Sequence, residues 1–186
     1  MGPDLTYANL ITILRMATIP FFLMAMIYGH YTTGFFLFVG AGLGDALDGF
    51  LARYFRQKTS LGAFLDPMAD KLMLTTAYVT LALPNIGLPH PIPVWLPILT
   101  ICRDVVIVLI ALLLHLHAGI QKFPPSWPGK CTTFFQIAFA VACLIENAFD
   151  LPELLVLGLQ WTVVFFTTYS GLHYLWRVRH QISAPS

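Results

Sequence analysis

Long apolar segments alternate with short polar connections along the whole chain. A membrane-spanning helix needs about 20 mostly apolar residues, and six segments of about this length occur. The predicted helices cover residues 7–28, 33–53, 62–83, 93–116, 131–148 and 154–176. The connection "LPNIGLPHPIP" after the third segment is dense in Pro and Gly, which predicts a turn region. The pattern predicts an all-α integral membrane protein, a bundle of six transmembrane helices.

Composition supports this fold class. Hydrophobic residues make up 58% of the chain and charged residues 10%, whereas soluble domains carry about 25% charged residues. The mean hydropathy is +0.75. A chain of 186 residues is too short to bury this much apolar surface in one globular core, so we expect the lipid bilayer to cover it. Residues 1–186 are predicted to form a single transmembrane domain, and the net charge of +1 gives no indication of a nucleic-acid partner.

The basic residues that lie outside the predicted helices or at their ends are confined to alternate connections. They follow the second, fourth and sixth predicted helices, at Arg53, Arg56, Lys58, Lys122, Lys130, Arg177 and Arg179. The connections "GHYTT", "PNIGLPHPIP" and "ENAFDLPE" contain no Lys or Arg. Because Lys and Arg concentrate in cytoplasmic loops, both termini and the loop between the second and third helices are predicted to be cytoplasmic.

Four aspartates lie beside this second loop, although the whole chain has only nine acidic residues. Asp45 and Asp48 are three residues apart on the second helix, and Asp66 and Asp70 are four apart on the third, so each pair shares one helix face. Carboxylates are costly in or near a bilayer, and four of them at one site repel one another. Divalent cations remove this conflict, because Mg²⁺, Mn²⁺ and Ca²⁺ prefer clustered oxygen ligands. Two such ions would hold a pyrophosphate and stabilise its displacement.

The aspartates have two other interpretations. A single intramembrane aspartate is often a structural hydrogen-bonding residue or a partner for a lysine such as Lys71. Two pairs that flank a turn with Gly49, Gly62 and Arg53 are harder to explain in this way. A divalent-metal transporter would also use an acidic cluster, but the far halves of the helices are almost free of ionisable residues. The pattern therefore favours a site that opens to one face.

The spacing of the motif has a close parallel. Its specified positions are Asp45-x-x-Asp48-Gly49-x-x-Ala52-Arg53, eight further residues, and Gly62-x-x-x-Asp66-x-x-x-Asp70. This pattern resembles the complete signature of the CDP-alcohol phosphotransferases, a family whose core is six transmembrane helices. The resemblance implies transfer of a phosphatidyl group from CDP-diacylglycerol to an alcohol with release of CMP. It also implies a homodimer in the bacterial inner membrane, with the active site on the cytoplasmic side.

The resemblance also implies roles for single residues. Asp45, Asp48, Asp66 and Asp70 match metal ligands for two Mg²⁺ or Mn²⁺ ions, and Asp70 matches the general base for the acceptor hydroxyl. The cytidine nucleotide site is matched by Asp48, Gly49, Ala52, Arg53 and Gly62. Phosphoryl-type transfer depends mostly on positioning and charge stabilisation, so direct attack without a covalent intermediate is expected.

Cations inside the apolar helices bear on the choice of acceptor. Arg15 and Arg103 lie well inside predicted helices, where an unpaired cation is costly. One interpretation is a structural ion pair, for example of Arg103 with an aspartate of the cluster. The other is an anion site for the phosphate of the acceptor or the lipid, to which Lys130 would contribute.

Several segments resemble the glycerol branch of the family, the phosphatidylglycerophosphate and cardiolipin synthases. These are "NLITILRMATIP", "ICRDVVIV" and "PGKCTTFFQ". Members that use glycerol 3-phosphate carry a second Arg eight residues after the one matching Arg103, where this chain has Ala111. A soluble dianion requires several cations, whereas phosphatidylglycerol carries one diester charge. "RDV" and the C-terminal "TTYSGLHYLWR" resemble the cardiolipin synthases, so phosphatidylglycerol is the predicted acceptor and glycerol 3-phosphate the alternative.

Overall fold

Six α-helices make up nearly all of the described chain. The computed structural model describes residues 7–54, 60–118, 127–149 and 152–183, and for residues 7–11, 45–54, 60–65, 67, 111–115, 117–118 and 177–183 it describes the backbone alone. The helices are α1 (Tyr7–Ile27), α2 (Tyr31–Tyr54), α3 (Ser60–Ala82), α4 (Trp95–Ala118), α5 (Trp127–Phe149) and α6 (Glu153–Ser183). No strand occurs in these described ranges. The all-α prediction is confirmed, and each helix covers its predicted segment to within a few residues, apart from α6, which continues seven residues further.

The chain divides into two compact units, and the first consists of residues 1–92 and 140–151. In this unit α1 packs against both α2 and α3. Its interior contains Phe22, Met26, Tyr78 and Leu81, all essentially inaccessible to solvent. A Cβ on Gly34 of α2 would lie 2.6 Å from the sulfur of Met26. A larger residue there would displace the Met26 side chain, so the glycine favours the close approach of α1 and α2.

The connection between α3 and α4 is held in place by side chains of the first unit. It contains a short 3₁₀-helix, Pro84–Ile86, which ends at Gly87 with φ of 68°, a conformation that favours glycine. The hydroxyl of Tyr31 donates to the carbonyl oxygen of Gly87 at 2.8 Å. The Asn147 side chain accepts from the backbone N–H of His90 and donates to its carbonyl, both at 3.0 Å. The predicted turn region is therefore an ordered loop.

The second unit consists of residues 93–139 and 152–186. Within it α4 packs against α6. The Thr132 hydroxyl donates to the carbonyl of Phe166 at 3.0 Å, and the rings of Phe135 and Phe166 stack with their centroids 4.7 Å apart. These contacts join the first part of α5 to α6.

Two of the described helices are long and apolar enough to cross a membrane, in the ranges Trp127–Phe149 and Glu153–Trp176. Shorter apolar helical segments occur at Thr12–Ile27 and Tyr31–Gly44. Large apolar side chains such as Leu154, Phe165 and Trp176 are more than half exposed, and an exposed apolar surface of this kind is typical of contact with lipid or protein. The number of helices agrees with the sequence prediction, whereas the crossing of the membrane by all six stays a prediction.

Candidate active site

Two contacts between α1 and α3 hold the second aspartate pair of the motif. The Thr12 hydroxyl donates to Oδ1 of Asp66 at 2.6 Å. The Arg15 guanidinium forms an ion pair and a hydrogen bond with Oδ1 of Asp70. Both contacts lie in the first compact unit. Residue numbers rise together along the two helices, so α1 and α3 run in the same direction here.

Helix geometry explains how α1 reaches both carboxylates. Thr12 and Arg15 are three residues apart, and Asp66 and Asp70 are four apart, so each pair occupies one face of its helix. Thr12 is fully buried and Arg15 is 4% exposed. Their polar groups therefore meet the carboxylates inside the packed α1–α3 interface.

The ion pair between Arg15 and Asp70 is asymmetric. The Arg15 side chain is 3% exposed, whereas the Asp70 side chain is 55% exposed. A carboxylate provides two oxygens with about four acceptor positions, so the contact with Arg15 leaves Asp70 capacity for a ligand or a proton. Arg15 thus contacts the carboxylate from the protein interior, and the other side of the Asp70 carboxylate stays accessible to a ligand.

An apolar cleft lies between α1 and α2 and includes Arg15 in its wall. Its volume is about 230 Å³, and it is lined by Leu14, Arg15, Thr18, Phe36, Leu37, Gly40, Ala41 and Gly44. A Cβ on Gly40 would meet no atom within 4 Å, so this wall is open. The cleft therefore combines an apolar surface with the buried guanidinium that holds Asp70.

The second arginine within an apolar helix, Arg103 of α4, has partners in its own unit. Its guanidinium donates to Oδ1 of Asp104 at 2.8 Å and to the hydroxyl of Ser170 on α6. Its side chain is 11% exposed. The sequence suggested that Arg103 pairs with a motif aspartate, but the pair that the structure contains is with the neighbouring Asp104. It is Arg15 that pairs with a motif aspartate.

The other predicted site residues are only partly described. Asp45, Asp48, Gly49, Ala52 and Arg53 lie in the last turns of α2, and Gly62 lies in the first turn of α3, but their side chains are outside the described part. Lys130 is exposed near the start of α5. Among the described side chains no group of three or more metal-ligating residues occurs. The convergence of all four aspartates thus stays a prediction.

Comparison with known proteins identifies the family. The family model of the CDP-alcohol phosphatidyltransferases matches residues 5–169 of the 186. The chain belongs to the CDP-alcohol phosphatidyltransferase family. The resemblance carried by the motif is therefore confirmed, and the chain is an enzyme that transfers a phosphatidyl group to a glycerol-type alcohol. This membership in an enzyme family replaces the transporter interpretation.

Curated relatives of this phosphatidyltransferase carry two kinds of name. A CDP-diacylglycerol--glycerol-3-phosphate 3-phosphatidyltransferase of Pectobacterium atrosepticum is 34% identical over 188 residues, covering 95% of this chain and 97% of that protein. The Bacillus subtilis protein of the same name is 32% identical over 184 residues, covering 89% and 91%. A cardiolipin synthase (CMP-forming) of Rattus norvegicus is 28% identical over 189 residues, covering 91% of this chain and 61% of that protein. The names agree on the class of reaction and differ in the product.

Sequence reasoning on this phosphatidyltransferase did not assign Thr12 to the site. Threonine is common in apolar helices, and nothing in its type points to a carboxylate on another helix. Its position three residues before Arg15, matched by the four-residue spacing of Asp66 and Asp70, was the available signal. That signal becomes informative only once α1 is known to pack beside α3.

Proposed function

We propose that this phosphatidyltransferase uses phosphatidylglycerol as its acceptor and produces cardiolipin and CMP. The acceptor hydroxyl oxygen attacks the phosphorus of the phosphatidyl group. The bond from that phosphorus to the oxygen of CMP breaks, CMP leaves with the electron pair, and the hydroxyl proton passes to a carboxylate. The observation that carries the proposed transfer step is the accessible Asp70 carboxylate supported by buried Arg15.

Asp70 is the proposed general base. A base must lie within hydrogen-bonding reach of the hydroxyl, and the half-exposed side chain of Asp70 meets the requirement of access. Arg15 restricts the orientation of this carboxylate through its contact with Oδ1. The protein thereby presents one oriented acceptor for the proton.

The donor set fits divalent cations. Asp66 and Asp70 offer carboxylate oxygens from one face of α3, and carboxylates are the ligands that Mg²⁺ and Mn²⁺ prefer. We propose that these two residues, with Asp45 and Asp48 of α2, hold two such ions. When bound, the ions would supply positive charge to the pyrophosphate of the donor. The proposed nucleotide site is formed by Asp48, Gly49, Ala52, Arg53 and Gly62, where small residues allow close approach and Arg53 provides a cation.

The acceptor assignment is supported by the surroundings of Arg103. Asp104 lies 2.8 Å from its guanidinium, so the pair brings little net charge to an incoming phosphate. Position 111 of the same helix is Ala rather than a second Arg. A dianionic glycerol 3-phosphate requires more cations than the single diester charge of phosphatidylglycerol does. The apolar cleft beside Arg15 also suits a lipid acceptor.

Glycerol 3-phosphate is the alternative acceptor. The relatives named for glycerol 3-phosphate are 34% and 32% identical to this chain and are matched over 97% and 91% of their lengths. The relative named cardiolipin synthase is 28% identical and is matched over 61% of its length. This difference favours the alternative and makes a direct test necessary.

The test compares the two acceptors under one condition. Purified enzyme in one detergent receives CDP-diacylglycerol, Mg²⁺ or Mn²⁺, and either phosphatidylglycerol or glycerol 3-phosphate, and both CMP release and the product lipid are measured. We expect cardiolipin from phosphatidylglycerol and little phosphatidylglycerophosphate. Efficient formation of phosphatidylglycerophosphate, with no product from phosphatidylglycerol, would identify glycerol 3-phosphate as the acceptor. The assignment of phosphatidyl transfer would stand.

The proposed setting is the bacterial inner membrane. All six helices cross it, and both termini and the motif face the cytoplasm. The segregation of Lys and Arg to alternate connections supports this orientation. The homodimer remains a proposal that rests on resemblance to the family.

A further inference from the structure

We propose that Thr12 is a positioning residue that orients the Asp66 carboxylate for its metal ion. This inference rests on the proposed function, in which Asp66 is a metal ligand. Thr12 contacts neither the substrate nor the reacting atoms in this proposal. It acts through its hydrogen bond to Oδ1 of Asp66.

The length of this bond indicates a strong contact. Its donor–acceptor distance is 2.6 Å, within the range of about 2.5–2.7 Å that is typical when a hydroxyl donates to an ionised carboxylate. Thr12 is fully buried, so water competes little for the hydroxyl. A short bond from a buried hydroxyl restricts the rotation of the carboxylate that accepts it.

Thr132 also donates to another helix, but to a backbone carbonyl of α6, and several other helical threonines donate within their own helix. Thr18 donates to the carbonyl of Leu14 at 2.9 Å, Thr80 to that of Thr76 at 2.7 Å and Thr162 to that of Gly158 at 2.8 Å. These bonds stay within one helix. A hydroxyl has a single proton to donate, and the bond from Thr12 directs it to a motif carboxylate on another helix. The orientation of the Thr12 hydroxyl is therefore linked to the position of the Asp66 carboxylate.

The type of residue suits this role. Threonine is branched at Cβ, which restricts χ1 in a helix to few rotamers. The donor position is thus determined by the backbone of α1. One turn further along the same interface, Arg15 contacts Asp70, so α1 holds both α3 carboxylates from one face.

Groups that hydrogen-bond to a metal ligand orient it for its ion, and their loss typically weakens metal binding about tenfold to hundredfold. Thr12→Val keeps the branched shape and removes the hydroxyl, so we expect the Kd for Mn²⁺ to rise by about that factor. Thr12→Ser restores a hydroxyl and should bring the Kd back to within about threefold of the wild type. The matched control is Thr80→Val, because Thr80 is also buried but donates within α3.

The experiment measures binding of Mn²⁺ alone to the full-length protein in detergent, by electron paramagnetic resonance of the free ion. Thermal unfolding with and without Mn²⁺ gives a second readout, since a ligand that binds the folded state raises its stability. We expect Thr12→Val to reduce the Mn²⁺-dependent increase in unfolding temperature and Thr80→Val to preserve it. If Thr12→Val is not recovered folded, Thr12→Ala is measured by the same criteria.

The variant Asp66→Asn distinguishes the positioning role of Thr12 from the proposed role of Asp66 as a metal ligand. If Asp66→Asn abolishes Mn²⁺ binding while Thr12→Val binds as the wild type does, the positioning role is overturned and the metal site stands. If Asp66→Asn binds Mn²⁺ normally, the proposed function of Asp66 as a ligand is wrong. A Kd that rises equally in Thr12→Val, Thr12→Ser and Thr80→Val would indicate general damage to the helices and would also overturn the positioning role.

Discussion

Arg15 of α1 and Asp70 of α3 form an ion pair in which the cation is buried and the carboxylate is half exposed. A buried guanidinium requires a partner, since desolvation of an unpaired charge is costly. The exposed side of Asp70 remains accessible to a substrate. This ion pair therefore stabilises the packing of α1 on α3, and it also holds a motif carboxylate where a substrate can reach it.

Replacement of Asp70 by Asn should separate chemistry from binding. Loss of a general base typically lowers the rate about 10²–10⁴-fold, and we expect Asp70→Asn to retain binding of CDP-diacylglycerol. Arg53→Ala should instead weaken nucleotide binding, because it removes a cation from the proposed site. Rates of CMP release and CMP affinities measured for both variants test this. An equal loss of nucleotide affinity in the two variants would identify Asp70 chiefly as a metal ligand.

Activity should require a divalent metal and the motif carboxylates. Asp66→Asn is expected to lose metal-dependent CMP release and nucleotide binding together, because clustered carboxylates hold cations that in turn hold the pyrophosphate. The measurement is CMP release over a titration of Mg²⁺ or Mn²⁺ after treatment with chelator. Glu153→Gln is a control, since Glu153 is an exposed carboxylate outside the motif. Full activity in excess chelator contradicts the two-metal proposal.

Substitution of Ala111 by arginine should change which acceptor the enzyme prefers. Ala111 lies about 12 Å along α4 from Arg103, two turns away, at the position of the second Arg in glycerol 3-phosphate enzymes. One charge-assisted contact contributes about 1.5–3 kcal/mol, so Ala111→Arg should increase use of glycerol 3-phosphate about tenfold or more. Ala111→Leu controls for size. An unchanged ratio of the two products would show that position 111 does not select the acceptor.

The two loops beside α3 should lie on opposite sides of the membrane. All Lys and Arg of the loops follow even-numbered helices, which predicts a cytoplasmic side for Lys58 and the opposite side for Asn85. Single cysteines at these positions, in a chain whose Cys102, Cys131 and Cys143 are replaced by Ala, are labelled in sealed vesicles with an impermeant thiol reagent. We expect labelling from opposite sides. The same side for both would mean that a membrane span has been miscounted.

The contact of Asn147 with the loop before α4 should contribute to stability. Its amide makes two hydrogen bonds of 3.0 Å with the backbone of His90, and Asn147 is buried. Asn147→Ala leaves these backbone groups without that partner, which costs about 1–3 kcal/mol. Thermal unfolding measures this loss, with exposed Asn85→Ala as the control. Equal unfolding temperatures for Asn147→Ala and the wild type would show that the loop is held by other contacts.

The helices and the motif were predictable because both are local in sequence. Membrane-length apolar segments identify α1 to α6 without knowledge of their packing, and the spacing of Asp66 and Asp70 places them on one face. The partners of these residues were not predictable, since Thr12 and Asp66 are 54 positions apart. Arg103 forms a structural ion pair, as one interpretation expected, and the partner that the structure describes is Asp104. Charge type alone does not reveal which side chains are neighbours.

The separation of 55 residues between Arg15 and Asp70 has a consequence for biosynthesis. A ribosome adds about 5–20 residues per second, so α1 is made on the order of several seconds before the aspartate that neutralises its arginine. During this interval an arginine within the proposed membrane span disfavours insertion by about 2.5–3.5 kcal/mol. The emergence of α3 removes this penalty. We therefore expect the Asp70 carboxylate also to complete the insertion of the first helix, so that a chain interrupted before α3 holds α1 poorly in the bilayer.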